Sequence, residues 1–98
     1  MNYWIRRRLK KRSLEVRAYI NSIAPSVSYK INLITRWSYS LVFEYGAATI
    51  CISGSTTKTH IRVGSEPYVL MPDHGTDEFW TNIKSYISYY SLSYSDEE

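Results

Sequence analysis

Residues 27–45 read Val27-Ser28-Tyr29-Lys30-Ile31-Asn32-Leu33-Ile34-Thr35-Arg36-Trp37-Ser38-Tyr39-Ser40-Leu41-Val42-Phe43-Glu44-Tyr45. Large apolar or aromatic side chains stand at odd positions from Val27 to Leu33 and again from Trp37 to Tyr45. This is the period of two that sends alternate side chains to opposite faces of a strand. One unbroken strand of that length would span about 60 Å at ~3.3 Å per residue. The segment therefore predicts two strands, near 27–35 and 39–45, reversing around Arg36 to Ser38, although no Gly or Pro marks the turn. On the first strand, Val27, Tyr29, Ile31 and Leu33 are expected on one face and Ser28, Lys30, Asn32 and Ile34 on the other.

Downstream the alternation continues. Ala48, Ile50 and Ile52 against Thr49, Cys51 and Ser53 predict a third strand, 47–53, between the turn residues Gly46 and Gly54-Ser55. Thr57, Thr59, Ile61 and Val63 alternate with Lys58, His60 and Arg62 in a fourth strand, which Gly64 ends. Tyr68 to Met71 suggests a short fifth strand at the edge. Upstream the period is different. Ile5, Leu9, Val16, Ile20 and Ile23 fall on one stripe of a helix at 3–23, and Pro25 stops it. At the other end Thr76 is suited to cap a helix whose first turn holds Asp77 and Glu78. Phe79, Trp80, Ile83, Ile87 and Tyr90 give that helix an apolar stripe to about Tyr90. Residues 91–98, serine-rich and ending in Asp96-Glu97-Glu98, read as a frayed acidic tail. The expected architecture is a single α+β domain over residues 1–98: an antiparallel sheet of four or five strands within 27–71, flanked by an N-terminal and a C-terminal helix in a two-layer sandwich.

Composition supports one folded unit. The 98 residues are 44% hydrophobic and 21% charged, enough for one core and too few to divide between two. No apolar run approaches the roughly 20 residues a bilayer span needs, and no apolar segment follows the basic start as a secretory signal would require. With one cysteine, Cys51, no internal disulfide forms, and a reducing, cytoplasmic setting is expected. The net charge of +3 conceals a polarity. Residues 1–25 hold seven basic side chains and one acid, whereas residues 66–98 hold one lysine and seven acids.

Chemistry is weakly represented. One cysteine and two histidines, with no short-range ligand spacing, give no basis for a metal, and no cofactor is implied. The four isolated glycines form no phosphate loop. Cys51 with His60 or His74 is a conceivable nucleophile and base, and Asp73-His74-Gly75-Thr76-Asp77 places a histidine beside carboxylates at a helix start. Asp, Gly and Thr there also serve the turn and the cap, so a small enzyme centred on His74 is the weakest of three expectations.

Two features exceed what folding requires. Arg6, Arg7, Arg8, Lys10, Lys11, Arg12 and Arg17 place seven cations within twelve residues of the first helix. Ten tyrosines and three tryptophans are more than one small core hides, which makes Trp37, Tyr39, Tyr86, Tyr89 and Tyr90 candidate contact residues. A basic helix grips phosphates without reading bases, rests on anionic lipid, or docks on an acidic protein surface. Lipid ranks last, because the sheet needs the helix's narrow apolar stripe. The sequence holds no RNP motif, GXXG loop, toxin triad or enzyme fingerprint. Its general type is that of the small inhibitors with which mobile elements block host nucleases and defence complexes, the anti-CRISPR kind among them. The leading expectation is a non-enzymatic inhibitor or adaptor for a protein or nucleoprotein. Direct, sequence-independent nucleic-acid binding is the alternative. Oligomeric state is open at this level.

Overall fold

The apolar stripe of the first helix meets the sheet. In a computed structural model that describes residues 2–46 and 48–96, helix α1 (Asn2–Ile23) lays Leu9, Val16 and Ile20 into the core, all fully buried. It stops at Pro25: the Ala24 N–H still reaches the Ile20 carbonyl at 2.8 Å, and the Val27 N–H closes a turn on the Ala24 carbonyl at 3.1 Å.

Five antiparallel strands follow, β1 (Ser28–Ile34), β2 (Tyr39–Tyr45), β3 (Ala48–Gly54), β4 (Thr59–Val63) and β5 (Val69–Leu70), hydrogen-bonded in sequence order as a simple meander. Tyr39, Leu41 and Phe43 of β2, Ile50 and Ile52 of β3, and Ile61 and Val63 of β4 form the buried face. Helix α2 (Asp77–Asp96) closes the same face with Phe79, Ile83 and Ile87, and α1 and α2 together make the second layer of an α+β sandwich. Fully burying a side chain of this kind contributes about 1.5–3 kcal/mol, so the inner face and the two helical stripes dominate stability.

The first strand departs from its expected alternation. Tyr29 pairs with Phe43, but Ile31, not Lys30, pairs with Val42, so Lys30 is the extra residue of a β-bulge. Tyr29 therefore faces the core, its ring 5.7 Å from that of Phe43, while Ile31 and Leu33 turn to the outer face. Asn32 and Ile34 take the inner side opposite Leu41 and Tyr39. One inserted residue exchanges the faces of everything after it.

Hydroxyl side chains make the turn that lacked Gly and Pro. Thr35 Oγ1 accepts hydrogen bonds from the N–H groups of Ser38 (3.0 Å) and Trp37 (3.4 Å), and the Thr35 N–H reaches the Ser38 carbonyl at 2.7 Å. The β3–β4 turn repeats the device: Ser55 Oγ accepts from Thr57 (3.2 Å) and Lys58 (3.1 Å), and the Ser55 N–H reaches the Lys58 carbonyl at 2.8 Å. Gly54 itself ends β3 and leaves room for the Tyr39 ring across the strand pair. A Cβ there would stand 2.7 Å from Tyr39 Cζ.

Before α2, Gly75 turns the chain at φ +87°, and Thr76 Oγ1 accepts from the Phe79 N–H at 3.2 Å as the expected N-cap. The helix continues past Tyr90 to Asp96, which corrects the frayed tail expected from residue 91. Residues 91–96 contain no Gly or Pro to end it. Glu97 and Glu98, the rest of that expected tail, lie outside the described residues.

Candidate interaction surface

Helix α1 buries one stripe, and its remaining surface carries the cations. Arg6, Arg7, Arg8, Lys10 and Lys11 are all exposed, joined in the first turn by Tyr3 and Trp4, 64% and 68% exposed, with rings edge to face at 5.5 Å. Successive residues of this group are i, i+3 and i, i+4 neighbours: Arg6 and Lys10, Arg7 and Lys10, Arg7 and Lys11, Arg8 and Lys11. Shallow grooves run between them, one lined by Tyr3, Arg6, Arg7 and Lys10 and another by Arg7, Lys10, Lys11, Leu14, Glu15 and Ala18. A single helix lines both, so they shape an extended contact and do not enclose a small molecule.

The electrostatics oppose helix stability. Like charges at these spacings cost about 0.2–0.5 kcal/mol per pair. The helix N-terminus already carries partial positive charge, and no acidic residue occupies the first turn of α1. Helix α2 shows the stabilising order, with Asp77 and Glu78 in its first turn. The single acid of α1, Glu15, is drawn away from the lysines: its Oε1 lies 2.9 Å from His74 Nε2. Among the described residues, Arg6, Arg7, Arg8, Lys10 and Lys11 have no acidic partner.

Two of the seven candidate cations serve the fold. Arg12 is half-buried and donates to the Ser55 carbonyl at 3.2 Å, tying α1 to the β3–β4 turn. Arg17 lies 4.6 Å over the ring of Tyr29, whose hydroxyl donates to the Arg17 carbonyl at 3.0 Å. Burial pushes the Tyr29 hydroxyl up, and the Arg17 guanidinium partly offsets this.

The aromatic candidates scatter. Trp37 stands 60% exposed on the β1–β2 turn, with the Arg36 guanidinium 5.3 Å from its ring, and Tyr89 is exposed on α2. Tyr86 is half-buried, lining a cleft with Ile61, Val63, Pro67 and Val69. The Tyr90 side chain lies outside the described residues. Tyr39 is corrected: it has no exposed surface, and the glycine opposite it at position 54 is what lets the ring lie inside. Sequence periodicity places it with the core stripe, yet the tyrosine surplus also makes it a contact candidate. Tyr3 and Trp4, beside the cations, are the contacts that the count of aromatic residues does not single out; their position at the start of a basic helix is the available signal.

The catalytic candidates do not assemble. The His74 ring packs at 4.8 Å on Phe79 and 5.6 Å on Trp80, its Nε2 is held by Glu15, and its Nδ1 is buried without a partner. That geometry is a strut between α1 and the start of α2, reinforced by the contact of Tyr19 with Trp80 at 5.0 Å. Cys51 and His60 share the outer sheet face as diagonal neighbours, since Cys51 pairs with Arg62 and His60 with Ser53, and no hydrogen bond joins them. No group of three or more potential metal ligands occurs among the described residues. No described helix is long and apolar enough to cross a membrane. No family model, curated protein or solved structure matches the chain.

Proposed function

We propose that this protein is a non-enzymatic inhibitor or adaptor that docks on a protein or nucleoprotein partner in the cytoplasm through the exposed basic face of α1. One observation carries this: five exposed cations are concentrated toward the N-terminal end of α1, against its dipole and without acidic partners among the described residues. Their mutual repulsion weakens the isolated protein, and an anionic surface relieves it. Arginines there form bidentate bonds with carboxylates or phosphates, while Tyr3 and Trp4 add large contact area with little loss of rotamer freedom. The finer form of the proposal is an inhibitor of the kind mobile elements direct at host nucleases and defence complexes.

Direct nucleic-acid binding is the second reading, favoured by the Tyr3–Trp4 pair beside the cations, since exposed rings stack on unpaired bases. Fluorescence anisotropy with random single- and double-stranded DNA and RNA, across a salt series, separates the two. Tight binding that falls steeply with salt establishes phosphate gripping. Negligible binding near physiological salt, with stoichiometric capture of one partner from the native host that is lost in Arg7→Glu/Lys10→Glu, establishes the protein-directed reading. Full activity in that double variant overturns both.

A further inference from the structure

The sheet has a second face that neither helix touches. Across it run three rows: Ser28, Glu44 and Thr49 in one, Ile31, Val42, Cys51 and Arg62 in the next, and Leu33, Ser40, Ser53, His60 and Leu70 in the third. None of these side chains is buried; Ile31 and Leu33 are 49% and 53% exposed. A solvated sheet face ordinarily alternates to polar residues. Here the bulge at Lys30 directs two large aliphatic side chains outward, where the monomer gains nothing from them.

We infer that this face is the contact between two copies of the chain, packed sheet on sheet about a two-fold axis. Its size suits a reversible dimer: β1 to β3 are seven residues long, β4 five and β5 two, which at ~3.3 Å per residue and about 4.8 Å between strands gives about 440 Å² per copy. The pair therefore buries about 900 Å², the size of a weak, reversible contact, which is why the test below extends to millimolar protein. The face carries both signs at separated places, so it is complementary to a second copy of itself in one orientation. Lys30 and Glu44 neutralise each other at 3.6 Å on the β1–β2 side, while Arg62 and His60 lie on the β4 side. A two-fold axis along the strands lays the β1–β2 side of one copy over the β4–β5 side of the other. Ile31 and Leu33 then meet Leu70, and Glu44 comes within side-chain reach of Arg62. An axis across the strands would instead stack Arg62 on Arg62. The α1 face, all positive, repels itself and is unsuited to the same role.

Cys51 supplies the readout. It is the fourth of seven residues in the third of five strands, the centre of the face, so a two-fold axis beneath that centre brings both Cys51 side chains together. The experiment is sedimentation velocity from micromolar to millimolar protein, with cross-linking by a short bis-maleimide, on the wild-type chain and on Leu33→Glu. The expected result is a two-copy mass with efficient Cys51 cross-linking, both lost in Leu33→Glu through an association weakened about a hundredfold. Near-ultraviolet circular dichroism should show that variant folded, since Leu33 is exposed. A one-copy mass throughout, or a dimer that survives Leu33→Glu without cross-linking, overturns the inference and leaves the face to a foreign partner or to solvent. The α1 surface lies in the opposite layer, so Leu33→Glu and Arg7→Glu report on separate contacts.

Discussion

Tyr39 shows how one buried side chain sets an alkaline limit. Its hydroxyl lies beside Thr59 without reaching hydrogen-bonding geometry. Burial pushes it up to about 12, an effect moderated by Thr59 and Arg12 and reinforced by Glu15. In the unfolded chain the same group ionises near its usual value of 10.0. The folded state therefore keeps a proton that the unfolded state releases, and stability intact below about pH 10 falls as pH rises toward about 12. The raised value corresponds to a loss on the order of 2–3 kcal/mol, most of it reached by the end of that window and the rest above it, and Tyr29 moves in the same direction. Urea titrations from roughly pH 8 to roughly pH 12, which start below the ordinary tyrosine value and end at the raised one, should show this loss. It should shrink in Tyr39→Phe, which at neutral pH is as stable as wild type or slightly more so because an unpaired hydroxyl is removed.

At the scale of the element, the hairpin turns and the basic helix make opposite demands. Thr35 holds the β1–β2 turn through its own side chain, so Thr35→Ala should destabilise the protein by about 0.5–1.5 kcal/mol. The accompanying rise in amide exchange should concentrate in β1 and β2 and spare β4. In α1, Arg7→Glu should do the reverse of what a harmful substitution does. It replaces repulsion from Lys10 and Lys11 with attraction, and should raise stability by about 0.5–1 kcal/mol while abolishing docking. A melting temperature that falls instead would show that the cations support the fold.

For the molecule as a whole, periodicity carried most of the architecture. Helix, strand and core positions were legible because burial imposes periods of 3.6 and two, and Leu9, Phe43 and Ile83 lie inside as their spacing predicts. The bulge was illegible, since Lys30 is an ordinary strand residue and only its pairing across to β2 shows that it is extra. The Thr35 turn was written in the sequence, in a hydroxyl where a glycine would be sought. Of the candidate surface, the cations were evident from composition, but not that Arg12 and Arg17 are tied down by β3–β4 and β1, because those partners are 43 and 12 residues away.

The bulge at Lys30 also bears on how the chain behaves in crowded solution. A sheet with open edges is a template for fibre growth, and here one edge is only two residues long, while the other is kinked and carries an ammonium group. Deleting Lys30 would move no other side chain across the sheet, yet would leave β1 a straight, uncharged rim. Concentrated deletion protein is expected to bind thioflavin T and scatter light where the natural chain stays clear. One lysine would then separate a finite particle from an endless one.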